Sequence, residues 1–276
     1  MVDDDLQRRQ RESDAFNANG IEAADRKWYE EAERCFRRAI ELDPTSAHAH
    51  DNLATVYSEQ GKLLPALGEY LEALRIEPDN PMAHYNLAWF LTAQGPQMAI
   101  QEYQEAIRLE YDYPDAHVNL GLCYADGGDM ENAIAEFRIA IELDPSDVGA
   151  KQELAAALID TGEFAEAIRL LREVVRLRPN ELDGFIDLGI AYMEQGFYEE
   201  AERSLKSAAE LGPSEVLPHY HLAALYASWD RIDEALRALT TAVSIDPSRT
   251  RDWARGDRLF DPLREDPEFV RILGEQ

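Results

Sequence analysis

The sequence is short of cysteine, of lysine and of long apolar stretches, and each shortage excludes something. Two cysteines, Cys35 and Cys123, among 276 residues cannot build a disulfide framework. A chain that reads as lacking an export signal belongs in a reducing compartment. No stretch approaches the roughly eighteen consecutive apolar residues of a membrane span. Residues 1–10 carry three aspartates and two arginines where a secretory leader would need an apolar core. The expectation is a cytoplasmic protein. Basic residues number 27 against 55 acidic ones, a formal net charge of −28, and only four of the 27 are lysines. Such a polyanion repels phosphates, so neither nucleic acid nor an anionic membrane suits it as a partner. The acidity has two readings, solubility in a salty cytoplasm or an anionic receptor for basic ligands. Where the charge sits separates them.

What is present is a period. Pro44, Pro78, Pro145, Pro179, Pro213 and Pro247 follow one another at intervals of 34, 67, 34, 34 and 34 residues. The long interval is two units with one residue deleted, in the turn formed by residues 94–97. Seven units result, at 13–46, 47–80, 81–113, 114–147, 148–181, 182–215 and 216–249, between an N-terminal extension (1–12) and a C-terminal segment (250–276). Each unit reads as two amphipathic helices. In the fourth, His117, Leu120, Gly121 and Tyr124 recur at three-to-four spacing, Gly127 and Gly128 break the chain, and Ala133, Phe137 and Ala140 mark a second helix. Two positions stay small in every unit, as in Ala54/Ala66, Gly121/Ala133 and Gly189/Ala201. They let the two backbones approach, and larger neighbours fill the remaining space. Proline ends the second helix by removing a donor and disfavouring the preceding helical residue.

A 34-residue helix–turn–helix with Leu-Gly-x-x-Tyr followed by Ala, Phe, Ala and Pro at set offsets resembles the tetratricopeptide repeat family. The likeness covers residues 13–249. It implies an all-α fold, a right-handed superhelical solenoid whose first helices line a concave groove. The fourth-position Trp of the family is replaced by Phe16, His50, His84, His117, Lys151, Phe185 or His219. The segment from Trp253 to Leu273 resembles the terminal helices that cap such arrays, with Phe260, Leu263, Phe269 and Leu273 facing inward.

Catalytic patterns are missing. There is no Gly-rich phosphate loop, no Gly-x-Ser-x-Gly elbow and no His-Glu-x-x-His. His48/His50 and His219/His221 are spaced i, i+2, which points them to different sides of a helix, whereas a metal pair needs i, i+3 or i, i+4. No catalytic residue, metal site or cofactor is expected, and the protein does not read as an enzyme.

In the family, ligand-facing side chains come from positions 2, 5, 6, 9, 12 and 13 of the first helix. Across the seven units these positions hold many acids, among them Asp51, Asp115, Glu153, Asp183 and Asp187, and no Lys or Arg. Helix electrostatics favour acids in a first turn, which accounts for Asp115 and Asp183 but not for the missing cations further along. Position 6 carries Asn52, Asn86 and Asn119, then Glu153 and Asp187. This is similar to the asparagine ladder of O-linked N-acetylglucosamine transferases, and two roles stay open, contact with a peptide backbone or a hydrogen bond inside the repeat. Tyr85, Trp89, Val118, Leu122, Ile186, Ile190, Met193 and Tyr220 add an apolar stripe, either half-buried between helices or exposed to a ligand. The Lys/Arg clamp by which chaperone-tail members hold a terminal carboxylate has no counterpart. The expected function is an adaptor that holds a basic or amphipathic peptide or helix of a protein partner in an acidic groove. The alternative is a self-assembling homo-oligomer in which the basic run Leu6–Arg11, or a neighbouring copy, fills that groove.

Overall fold

The computed structural model describes residues 2–274, with side chains from Asp5 onward. Among the described residues there are sixteen α-helices, one 3-10 helix and no strand. The chain forms two compact units, Met1–Pro145 and Ser146–Gln276. The first holds α1 (Val2–Asp25), α2 (Tyr29–Leu42), α3 (Ala47–Glu59), α4 (Leu63–Ile76), α5 (Pro81–Thr92), α6 (Pro96–Leu109), α7 (Pro114–Asp126) and α8 (Met130–Leu143). The second holds α9 (Val148–Asp160), α10 (Phe164–Leu177), α11 (Leu182–Glu194), α12 (Tyr198–Leu211), α13 (Val216–Ser228) and α14 (Ile232–Ile245). It ends in α15 (Pro247–Gly256), a 3-10 turn (Arg258–Leu263) and α16 (Pro267–Leu273). Each unit is a stack of helical hairpins, the all-α class read from the sequence.

Local chemistry explains the boundaries. Ser46, Asn80 and Asp147 cap α3, α5 and α9 by accepting from backbone N–H groups of the first turn. Inside a hairpin the chain reverses through a left-handed residue: Lys27, Gly61, Gly128, Gly162, Gly196 and Asp230 all have φ between 57° and 83°. Glycine fills four of these six places because it has no Cβ to clash there. The third hairpin, one residue shorter, turns without such a residue, and Gly95 is extended at φ −176°.

Close approach of the paired helices follows from the small positions. Ala54, Ala66, Ala88, Ala99, Ala155 and Ala167 are fully buried. A Cβ placed on Gly121 would lie 2.6 Å from Phe137 Cε1, and one on Gly189 would lie 2.5 Å from Leu205 Cγ. Those glycines are the space into which the larger partners fit. Phe36, Leu53, Tyr70, Leu87 and Tyr103 form the core of the first unit. In the second, Leu205, Leu225 and Leu239 join Phe260, Leu263, Phe269 and Leu273, each at most 2% exposed.

The fourth position carries more than packing in four of the repeats. His50, His84 and His117 each place Nδ1 2.6 Å from a glutamate on the second helix of the same hairpin, Glu69, Glu102 and Glu136. In the second unit, buried Lys151 donates to Glu173 at 2.8 Å. The cation or imidazole thus pins the two helices together at a place where the sequence alone suggests only apolar filling.

Candidate protein-interaction face

Within each unit the first helices of successive hairpins touch one another, α1 with α3, α3 with α5, α5 with α7, and α9 with α11 with α13. The second helices do so less. The row of first helices is therefore the tighter side of each stack, and its outward positions form the candidate face.

A rail of side-chain hydrogen bonds runs along this row. Asn52 Nδ2 donates to Asn17 Oδ1 at 3.0 Å, Asn86 Nδ2 to Asp51 Oδ2 at 2.6 Å, and Asn119 Nδ2 to Tyr85 Oη at 3.0 Å. In the second unit Gln152 donates to Asp187. In every case position 6 of one repeat meets position 5 of the repeat before. Each of these amides thus ties one repeat to the next, and Asn119 bonds within its own repeat as well. Asn119 also donates to the Asp115 carbonyl at 2.9 Å.

The same geometry explains where the apolar stripe goes. A position-5 side chain leans on the next first helix, so an apolar one is covered. Tyr85 is half-buried, stacked on Tyr113 at 4.9 Å and edge-on to Tyr103. Val118, Leu122 and Ile190 are half-buried as well. Ile186, Met193 and Tyr220 are only 5–7% exposed, which corrects their expected place on an open groove. Ile186 stands at position 5, where the following repeat covers it, and Met193 and Tyr220 belong to the core beside the terminal segment. Trp89, at position 9, is different: it is 48% exposed. Ile21 and Met82 lie on the same row in the first unit, 43% and 57% exposed, and Leu217 in the second is 40% exposed. Ile21, Met82 and Leu217 escaped selection from the sequence because single apolar residues at these positions are common and carry no pattern. The position rule that placed Trp89 would have found them.

Charge on the row is held in an unusual state. Burial pushes the Asp51 carboxyl up to about 6, against the Asn86 amide that favours its ionised form. Its Oδ1 has no hydrogen-bond partner among the described residues. Asp187 is likewise pushed up to about 6, by burial first and then by the neighbouring Asp183. Burial raises Glu153 too. A carboxylate surrounded by protein and short of donors gains from any cation brought to it. All six such positions in each repeat remain free of Lys and Arg.

Comparison with known proteins agrees with this architecture. Models described as "Tetratricopeptide repeat" match residues 13–46, 35–64, 90–148, 125–185, 158–215 and 218–249, and a "TPR repeat" model matches 55–95. A 67-residue stretch is 39% identical to the tetratricopeptide repeat and J domain-containing co-chaperone DNJ1 of Cryptococcus neoformans var. grubii. That match takes in 24% of this chain and 13% of the length of that protein. Among solved structures, MamA (residues 41 to the end) from Desulfovibrio magneticus RS-1 is similar with a TM-score of 0.59 at 24% identity, covering 61% of this chain and 96% of that one. YrrB, described as a TPR protein with an unusual peptide-binding site, has the same TM-score and identity over 66% of this chain and 95% of its own. Repeat models that follow one another along the chain, hairpins with paired small residues and this likeness of fold lead to one assignment: the protein belongs to the tetratricopeptide repeat family.

Proposed function

We propose that this protein is a protein-interaction adaptor of the cytoplasm, and that the first-helix row of a unit holds a basic or amphipathic segment of a protein partner. One observation carries the reading: half-exposed Trp89 shares the first-helix row of its unit with the desolvated carboxylate of Asp51, and that row offers no cation. An aromatic anchor on a row that also carries carboxylates suits a ligand that presents both apolar and Lys/Arg side chains. Forming an ion pair with a partly desolvated carboxylate recovers part of the energy already spent on its burial, while the exposed acids at position 2 guide approach over longer distances. The groove residues contribute unequally. In the first unit Trp89 and Leu122 offer apolar contact, and Asn52, Asn86 and Asn119 tie neighbouring repeats and have spare carbonyl capacity for a ligand donor; in the second unit Ile190 offers apolar contact and Asp187 and Glu153 offer charge.

Selection from a random peptide library displayed on phage tests this directly. Wild-type protein is expected to enrich sequences containing both Lys/Arg and bulky apolar residues, and the Trp89→Ala protein to lose that enrichment at least tenfold. Enrichment of acidic sequences, or selection indifferent to Trp89, overturns the proposal.

A second reading has its own support. The N-terminal turns of α1 project Leu6, 55% exposed, with Arg8, Arg9 and Arg11 toward solvent. Arg8 and Arg9 reach Asp5 on the same helix, and Arg8 also reaches Glu12, so much of that charge is already balanced. If this segment occupies the row of a second copy, deletion of residues 1–11 will abolish concentration-dependent sedimentation. Sedimentation as a monomer in both forms removes that reading.

A further inference from the structure

The terminal segment covers the core of the last repeat, and it also builds something. Leu217, Tyr220 and His221 of α13 face Trp253, Gly256 and Asp257 across a cleft of about 420 Å³. Tyr220 meets Trp253 edge-on at 5.4 Å, and its hydroxyl donates to Asp257 Oδ2 at 2.8 Å. Asp257 Oδ1 accepts from the Leu259 N–H at 2.9 Å. A carboxylate accepts about four hydrogen bonds, so two sites on Asp257 are uncommitted. The nearby Arg264 is turned to the Asp257 backbone carbonyl and to Asp261 rather than to that carboxylate.

His221 shows why the cleft is polar as well as aromatic. It stands at position 6 of its repeat, where the hydrogen-bonded rail would continue, but position 5 of the preceding repeat is Ile186, which has nothing to offer. His221 consequently makes no hydrogen bond among the described residues, and its ring meets Tyr220 edge-on at 5.7 Å. Burial pushes it down to about 4, so it is neutral at pH 7 and presents a bare nitrogen acceptor. Aromatic faces, a neutral acceptor and a carboxylate with spare lone pairs make a combination that favours a cationic donor with a flat or alkyl body. Arg249 already lays its guanidinium over the Trp253 ring at 4.4 Å, so that ring accommodates a planar cation.

We propose that this cleft receives an arginine side chain of the partner peptide, with Asp257 and His221 accepting its N–H groups and Trp253 and Tyr220 enclosing its stem. The proposal rests on the reading of a basic partner and adds a fixed anchor point to it. It also gives the C-terminal segment a role in recognition beyond closing the core.

The test uses the 276-residue chain and the peptide acetyl-Ala-Ser-Arg-Ser-Ala-amide, with a matched peptide carrying citrulline, the neutral near-isostere of arginine. Binding is read from the indole N–H resonances of the four tryptophans, assigned by Trp→Phe substitution. The arginine peptide is expected to shift the Trp253 resonance saturably, the citrulline peptide to bind at least tenfold more weakly, and D257N to weaken the arginine peptide at least fivefold. D257N keeps the oxygen that caps the 3-10 turn, so an unchanged circular dichroism spectrum separates lost charge from lost fold; His221→Leu provides a second variant away from that cap. Equal affinity for the two peptides, a silent Trp253, or wild-type binding by D257N overturns the cleft assignment. Shifts confined to Trp89 leave the adaptor reading standing while removing the cleft. Shifts confined to Trp253 are the result the cleft predicts, since this peptide carries no bulky apolar side chain for the Trp89 row.

Discussion

Asn86 donates its side-chain amide to Asp51 of the preceding repeat at 2.6 Å, while the other oxygen of that carboxylate is buried without a partner. One residue thus links two repeats and at the same time keeps an unsatisfied charge on the row of first helices. A buried carboxylate oxygen without a donor costs stability.

Asp51 and Asp187 therefore set a pH dependence with a defined sign. Both bind a proton more tightly when folded, up to about 6, than at their ordinary value of 3.8. The stability each contributes is fully present below about pH 4 and is lost as pH rises through about 6. Asp51→Asn and Asp187→Asn are each expected to stabilise the protein at pH 7 by about 2 kcal/mol, with the gain vanishing near pH 4. Urea denaturation at the two pH values measures this; destabilisation at pH 7 contradicts it.

Two glycines in helices should respond to alanine in opposite directions. Gly68, exposed in the middle of α4, has nothing within 4 Å of the place a Cβ would take, whereas on Gly121 the new atom would lie 2.6 Å from Phe137. Gly68→Ala is expected to gain about 1 kcal/mol from helix propensity. Gly121→Ala is expected to lose about 1 kcal/mol, overpacking outweighing the same propensity gain. Thermal melts of the two variants decide it, and a partial recovery on adding Phe137→Leu would locate the strain in that pair.

The Lys151–Glu173 pair distinguishes removal of a charge from desertion of one. Lys151 is 5% exposed and donates to Glu173 at 2.8 Å; that contact holds the Glu173 carboxyl below its usual range. Glu173→Gln leaves an ammonium group enclosed without its counter-charge and is expected to cost about 1–2 kcal/mol. Lys151→Met replaces the buried stem with an apolar one and is expected to cost less. The reverse order in denaturation midpoints would mean that the ammonium is hydrated in the folded state.

Binding of a basic partner should weaken with salt and with Trp89→Ala by different routes. Attraction to exposed acids such as Asp115 and Asp183 is screened beyond about 10 Å at 0.1 M salt. Between 50 and 300 mM salt the association rate is expected to fall at least tenfold with little change in dissociation. Trp89→Ala is expected to speed dissociation instead, and stopped-flow kinetics with any selected peptide separates the two effects.

The repeat was legible because its signals are local. Proline at a fixed interval ends a helix by sterics, and alanine or glycine at two fixed places allows close packing whatever lies further away. The family's position rule put Trp89 outside, and the likeness to capping segments put Phe260, Leu263, Phe269 and Leu273 inside. The fate of Ile186, Met193 and Tyr220 was not legible, because each is covered by residues from a later part of the chain. Nor were the partners of Asn52, Asn86 and Asn119, which lie a whole repeat away.

The sequence by itself determined the hairpin, its 34-residue period, the sign of the charge on the first-helix row and the absence of cations from it. These depend on residue type and spacing, which act within a turn or two of helix. Tertiary structure alone decided which carboxylates lose their solvent, which apolar residues stay in it, and that His221, left without a partner by Ile186, comes to face Trp253 and Asp257. Those outcomes arise when repeats stack, so they belong to neighbours in space and not to neighbours in the chain.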